Sequence, residues 1–128
     1  MLAIDTNILI RYLVQDDPAQ KGKARRLIEN NEVFITTTVL LEAEWVLRSV
    51  YGFSPKQVAE AFAAFIGLPQ VRPENPFLAA EALRLVDAGM DFADALHLTA
   101  AKDCEAFVSF DQQCLKVARA AGASVRSA

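Results

Sequence analysis

The stretch "MLAIDTNILIRYL", residues 1–13, decides how the fold is interpreted, because it places a carboxylate directly after an apolar run. Asp5 follows residues 1–4, which have the composition of a buried strand, and apolar residues resume at Ile8. A charged side chain in apolar surroundings is costly unless it is paired, hydrogen-bonded or bound to a metal ion. We therefore expect Asp5 to have a specific partner, either the first turn of a helix that begins near Asn7 or a cation.

The composition predicts one globular domain that spans residues 1–128. Of these residues 53% are hydrophobic and 23% are charged, which favours a real core over disorder. No apolar stretch reaches the roughly 20 residues of a membrane-spanning helix, and residues 1–5 do not resemble a secretory signal, so we expect a cytoplasmic protein. Cys104 and Cys114 fit no zinc or redox motif and are expected to be buried.

Helices and short strands alternate along the chain. Three pairs of a capping residue and a proline predict helix starts: Asp17-Pro18, Ser54-Pro55 and Asn75-Pro76. Between the helices lie apolar runs of strand length: Leu2–Ile4, Val33–Thr36, Gln70–Arg72, Ala106–Ser109 and Ala123–Arg126. This alternation predicts an α/β protein, a three-layer α/β/α sandwich with a mainly parallel central sheet of four to five short strands.

Four acidic residues map to one edge of that predicted sheet. Asp5 follows the first strand, Glu42 lies one turn into the helix after the second strand, and Asp111 follows the fourth. Asp94 lies near the start of a helix, about residues 92–102, that is joined to the next strand by only a few residues. That short link brings the start of the helix to the carboxyl edge of the sheet, where ligands bind in such folds.

Four carboxylates at one edge would repel one another and raise each other's pKa values. Hard divalent cations relieve such repulsion, and Mg²⁺ or Mn²⁺ is the natural candidate because the chain has a single histidine and no thiolate cluster. Bound ions activate water and stabilise charge on a phosphate, as they do in two-metal nucleases. They would also reconcile a net charge of −3 with a polyanionic substrate.

Each acid also has an ordinary structural explanation. Asp5 and Asp111 are both suited to capping the helices that follow them. Asp91 is expected to cap the helix that begins after it, with Asp94 at the third helical position, and ligation by Asp91 stays open. The shared edge favours a functional role for the set over separate capping roles.

The helical segment around Glu42 leaves a choice between two glutamates. Glu44 competes with Glu42 for any functional role, and periodicity only weakly favours Glu42, which lies beside Val39 and Val46. His97 lies one turn after Asp94, where contact with the site stays open, but a structural histidine is favoured. Arg11, in the helix after Asp5, is a candidate contact for a phosphate or a partner.

The segments "AIDTNILIR", "TVLLEAEWVL", "DFADALHLTAA" and "FVSFD" resemble the ordered acidic motifs of PIN domains, in particular those of the VapC-type toxins of type II toxin–antitoxin modules. The resemblance covers essentially the whole chain. It implies a magnesium- or manganese-dependent endoribonuclease that binds one or two ions. The residues that would hold the ions are Asp5, Glu42, Asp94 and Asp111.

The resemblance carries further expectations about supporting residues and partners. Thr6 or Asn7 after the first aspartate, and Ser109 before the last, would be supporting polar residues. Asp91 matches an additional acidic position found in some members. The family also implies homodimers and inhibition by a cognate antitoxin whose C-terminal segment occludes the acidic pocket.

Two other functions compete with the nuclease. A haloacid-dehalogenase-like phosphatase also has an aspartate after its first strand, but its chemistry requires a second aspartate two positions on, where this chain has Asn7. A non-catalytic binding module would keep the fold and act through its partner. Nothing in the sequence specifies which RNA is cut or which antitoxin binds.

Overall fold

All five strands formed by the described residues pair in parallel, as the alternation of strands and helices predicts. The computed structural model describes residues 1–14 and 17–128, and the chain consists of two compact units, residues 1–76 and 77–128. The hydrogen bonds between strands form a three-stranded sheet in the first unit and a two-stranded sheet in the second. The α/β class is therefore confirmed, with the strands divided between two ladders.

The first unit contains three strands in the order β1-β2-β3 and four helices among the described residues. Its elements, in chain order, are β1 (Leu2–Ala3), α1 (Thr6–Leu13), α2 (Pro18–Glu29), β2 (Val33–Ile35), α3 (Thr37–Ser49), α4 (Pro55–Ile66) and β3 (Val71–Pro73). Val33 is the register partner of both Leu2 and Val71. Both neighbours of β2 are thus parallel, so the three strands have their carboxyl ends at one edge.

The core of the first unit is built from side chains that face inward from α1 to α4. Phe62 and Phe65, which occur at helical spacing in α4, are almost fully buried, and Tyr12 contacts the Phe65 ring edge-on with 5.6 Å between centroids. Two predicted helix starts are confirmed by their caps. Asp17 accepts a hydrogen bond from the Gln20 N–H, and Ser54 forms a capping box with Gln57.

The second unit contains three helices and two strands. Its elements are α5 (Pro76–Asp87), whose first residue closes the first unit, then α6 (Phe92–Ala100), β4 (Phe107–Ser109), α7 (Gln112–Ala120) and β5 (Val125–Ser127). Phe107 is paired with Val125, and Ser109 with Ser127. Gly89 and Gly122 follow α5 and α7 with positive φ angles of 103° and 86°, the left-handed conformation with which helices commonly end.

The differences from the predicted elements are small and have local causes. The second strand ends at Ile35 because the Thr36 side chain accepts a hydrogen bond from the Val39 N–H and so begins α3. The prediction that both cysteines are buried is wrong for Cys104, which is exposed in the turn after α6, and right for Cys114. The organisation of residues 1–128 as a single domain stays a prediction.

Candidate functional site

Asp5 occupies the N-cap of α1. Its Oδ1 atom accepts a hydrogen bond from the backbone N–H of Ile8 at 3.1 Å. The strand before it ends at Ala3, and the intervening Ile4 is buried, whereas Asp5 itself is exposed. The capping explanation is therefore confirmed. Because the cap uses only Oδ1, the cap leaves the other carboxylate oxygen for a further ligand.

Glu42 and Glu44 have opposite environments in α3. Glu44 is buried at 4% exposure and is held by Arg48, with Arg48 Nη2 donating to Glu44 Oε1 at 3.1 Å. Glu42 is exposed and accepts a short hydrogen bond from the Thr6 hydroxyl. Two residues along a helix correspond to a rotation of about 200°, which is why the side chains point to different neighbours. Glu42 lines a pocket beside Val39 and Val46, and its functional role stays a prediction.

Asp5 and Glu42, which we call the N-terminal acid pair, line one pocket of about 470 Å³ in the first unit. Thr6 and Asn7 line the same pocket, so the first-strand motif and Glu42 are brought together as predicted. The remaining wall is mainly apolar: Ile10, Val39, Val46, Val50 and Tyr51. The sequence indicated the two valines beside Glu42 but not the contribution of Tyr51.

Three acidic residues cluster at the starts of α6 and α7 in the second unit, and we call Asp91, Asp94 and Asp111 the C-terminal acid trio. Asp91 caps α6 and its Oδ2 atom accepts from the Asp94 N–H at 3.2 Å. Asp111 caps α7, where its Oδ1 atom accepts from the N–H groups of Gln113 and Cys114 at 3.0 and 3.1 Å. The capping roles predicted for Asp91 and Asp111 are confirmed.

The carboxylates of the trio affect one another electrostatically. The pKa of Asp94 is raised, first by partial burial and then by the negative charges of Asp91 and Asp111, and a smaller opposing effect comes from His97. The pKa of the buried Cys114 thiol is also raised, first by burial and then by the same three carboxylates. Asp94 and Cys114 are thus both affected by the negative charges at the starts of α6 and α7.

Among the residues discussed for the site, His97 differs most from what the sequence predicted. It was expected to be a structural histidine, but it is exposed, and its positive charge lowers the pKa of Asp94. Its position one turn after Asp94 on α6 was the signal available in the sequence, because residues three or four apart share a helix face.

The other predicted site residues have defined positions. The Ser109 hydroxyl accepts from the Asp111 N–H at 3.0 Å and so fixes the turn that presents Asp111. Arg11 donates from Nε to Gln20 at 2.6 Å and from Nη1 to the Tyr51 hydroxyl at 3.2 Å, so its guanidinium is held in place by neighbours.

The donor chemistry of both clusters fits Mg²⁺ or Mn²⁺. All the predicted ligands are carboxylates, and the trio carries the mutual repulsion that a cation relieves. Among the described residues, no group of three or more His, Cys, Asp or Glu side chains is placed to hold a metal ion. A partial set is compatible with Mg²⁺, which is usually bound through one or two carboxylates and keeps several waters.

Comparison with known proteins defines the class of the chain. The model of the PIN domain matches residues 2–120, and the chain therefore belongs to the PIN domain family. PIN domains are generally metal-dependent nucleases, so this is a nuclease fold. No curated protein matches the chain. None of the helices formed by the described residues combines the length and apolar character that crossing a membrane requires.

Proposed function

We propose that this protein is a Mg²⁺- or Mn²⁺-dependent endoribonuclease that hydrolyses RNA phosphodiester bonds, and that it acts as the toxin of a type II toxin–antitoxin module. The observation that carries the nuclease proposal is the membership of the PIN family, whose model matches residues 2–120. The acidic residues at the starts of α6 and α7 support it, because the charges of Asp91 and Asp111 help to raise the pKa of Asp94.

The proposed ligands of one or two ions are Asp5, Glu42, Asp94 and Asp111. When bound, the ions would supply a water of lowered pKa and neutralise charge on the scissile phosphate. The proposal requires no protein nucleophile. Asp91 is proposed as an outer acid that holds the first turn of α6 and adds to the negative potential around Asp94.

The chain's own contribution is to orient these carboxylates before the substrate arrives. The Thr6 hydroxyl donates to Glu42, and the Ile8 N–H donates to Asp5, so each member of the N-terminal acid pair has one oxygen fixed. The first turn of α7 does the same for one oxygen of Asp111, and the Ser109 hydroxyl accepts from the Asp111 backbone N–H. Asn7 is proposed as a further polar contact because it lines the pocket that holds the pair.

The proposal also includes contacts and partners other than the reacting phosphate. Arg11 is proposed to contact a phosphate or a partner because its guanidinium is fixed by Tyr51, which lines the same pocket as Asp5. Inhibition by a cognate antitoxin, assembly as a homodimer and a cytoplasmic location are proposed from the resemblance to VapC-type toxins.

Cleavage of purified RNA tests the nuclease. Wild-type protein freed of any antitoxin is incubated with total RNA and Mn²⁺ or Mg²⁺, beside Asp5→Asn and Asp94→Asn. We expect each substitution to lower the cleavage rate by at least about 100-fold, the upper end of what loss of a residue that only supports a ligand costs. Asp87→Asn and Glu60→Gln are the matched controls, because both residues are exposed on helices and lie outside the acid clusters.

The possible results separate the competing functions. Equal cleavage by wild type and both acid variants would show that the acidic residues do not carry the reaction. Wild-type protein that cuts no RNA would favour the binding module, and a fluoroberyllate adduct on an aspartate would favour the phosphatase. Growth arrest on induction of wild type, but not of Asp94→Asn, would support the toxin role.

A further inference from the structure

A cavity of about 410 Å³ lies within the second unit, at the opposite end of β4 from the acid trio. Phe107, the first residue of β4, lines the cavity, whereas Asp111 lies just beyond the last residue of the same strand. The cavity also borders one face of α5, the end of α6 and the turn before β5, and it shares no lining residue with the acidic clusters. Its volume is within the range of small-molecule sites.

The walls of this cavity are largely apolar. Leu85 and Leu98 are both buried and contribute their side chains from α5 and α6. Phe77 adds an aromatic ring from the first turn of α5, and it is one of the exposed large apolar residues of the chain. An apolar lining with a few polar groups is typical of sites that take the body of an organic molecule.

The charged groups in the lining leave one positive charge without an anionic partner in the cavity. Glu81 is held by Arg84, whose Nε lies 3.0 and 3.1 Å from its two carboxylate oxygens, and this pairing lowers the pKa of Glu81. The third charged residue, Lys102, places its ammonium 4.4 Å from the centroid of the Phe77 ring. The ring attracts the cation but does not neutralise it, so the lining favours an anion.

A buried hydroxyl in the lining also lacks a partner. Thr99 is only 6% exposed, and its Oγ1 atom has no hydrogen-bond partner among the described residues. It is a cavity residue on the same helical turn as Leu98. Because Oγ1 has almost no accessible surface, Thr99 contributes packing to the cavity wall and no accessible donor, and Lys102 remains the group that favours an anion.

We propose that this cavity binds a small organic monoanion, a carboxylate with an aliphatic or aromatic body. Lys102 pairs with the carboxylate, and the body lies against Leu85, Leu98 and Phe107. The site is separate from the proposed nuclease function, because none of its residues belongs to either acidic cluster.

Amide chemical shifts of the ¹⁵N-labelled full chain test this site. Benzoate and hexanoate are the anionic probes, and benzyl alcohol and benzylamine are the neutral and cationic counterparts. We expect the anions to shift amides in residues 98–102 and 121–124, with a dissociation constant of about 1 mM or tighter. We expect benzyl alcohol to bind more weakly than benzoate, and benzylamine to cause no shift at these amides.

Variants of Lys102 test whether this residue recognises the negative charge of the ligand. Lys102→Met keeps the apolar stem and should weaken benzoate binding by at least about tenfold, a difference of about 1.4 kcal/mol, while leaving benzyl alcohol unchanged. Lys116→Met is the matched control, since Lys116 is exposed on α7 and lies outside the cavity lining. If Lys102→Met loses its dispersed spectrum, Lys102→Gln takes its place.

Two results would overturn the proposal. The first is the absence of benzoate- and hexanoate-induced shifts around the cavity at any soluble concentration. The second is benzoate binding that is as tight in the lysine variant as in wild type, because the cation would then not recognise the anion. Ala123→Phe, which places a ring in the cavity lining, should abolish the shifts, and their persistence would locate the anion elsewhere.

Discussion

The carboxylates of the two acidic clusters have different surroundings. In the N-terminal acid pair, each carboxylate receives a hydrogen bond from a neutral donor, the Ile8 N–H for Asp5 and the Thr6 hydroxyl for Glu42. In the C-terminal acid trio, Asp94 is instead partly buried beside two other carboxylates. Hydrogen bonds favour the charged form of a carboxyl group, whereas burial and like charges oppose it. The trio therefore has more repulsion for a cation to relieve.

The largest expected effect is stabilisation by metal. Mn²⁺ at about 100 times its dissociation constant should raise the free energy of unfolding by about 2.7 kcal/mol, because it binds the folded state. Thermal unfolding with and without Mn²⁺ measures this effect. Asp94→Asn should remove more of the stabilisation than Glu42→Gln does, and Glu60→Gln should remove none. An equal loss in the first two variants would contradict the proposed difference between the clusters.

A smaller effect is expected from the helix cap in the N-terminal pair. Asp5→Ala removes the acceptor of the Ile8 N–H and should lower the free energy of unfolding by about 1 kcal/mol. Asp5→Asn keeps an oxygen that can accept this bond, so its unfolding in urea should stay close to wild type although its cleavage activity is lost.

The control for the cap is an exposed aspartate that is not an N-cap. Asp87→Ala, at the end of α5, should change the free energy of unfolding by no more than about 0.5 kcal/mol. If Asp5→Ala unfolds at the same urea concentration as wild type, the hydrogen bond of the Asp5 cap contributes nothing to the free energy of unfolding.

The smallest expected effect is a pH-dependent difference in stability between Asp94→Asn and the wild type. The pKa of Asp94 is raised in the folded state, so the unfolded chain loses this proton at a lower pH than the folded chain does. Ionisation of Asp94 therefore lowers the free energy of unfolding as the pH rises from the ordinary pKa of Asp94 in the unfolded chain through its raised pKa in the folded chain. In metal-free buffer, Asp94→Asn should be more stable than wild type at pH 7, and the difference should disappear in acid below the unfolded pKa.

Urea unfolding at a series of pH values in the presence of a chelator measures this difference. Asp103→Asn, an exposed aspartate in the turn after α6, is the comparison variant and should show no such pH-dependent gain. A gain for Asp94→Asn that is the same at every pH would mean that its cause is local packing and not charge.

Local signals predicted much of the fold. The proline-associated caps at Asp17 and Ser54 mark helix starts because both the capping oxygen and the proline ring act within one turn. Strand ends were predicted less accurately. Thr36 is of a residue type that is common in strands, but it lies outside β2 because its hydroxyl caps α3. The pairing of strands into two ladders depends on long-range hydrogen bonds that no local pattern specifies.

The candidate site was predictable where topology decides position and less so where side-chain contacts decide it. Asp5 and Asp111 each follow the carboxyl end of a strand in their own sheet, a position that the order of strands and helices indicates without knowledge of contacts. The spacing of Glu44 and Arg48 permits an ion pair on one helix face, but the burial of Glu44 depends on packing that is visible only in the folded chain. The exposure of His97 likewise depends on packing around α6, which sequence periodicity describes only approximately.

The helix α6 joins two parts of the second unit that differ in chemistry. Asp94 lies in its first turn, and Leu98 and Thr99, which line the anion cavity, lie in its last. Nine helical residues span only about 13 Å. A carboxylate in the first turn of α6 and an apolar wall in its last turn are therefore separated by no more than the length of one short helix.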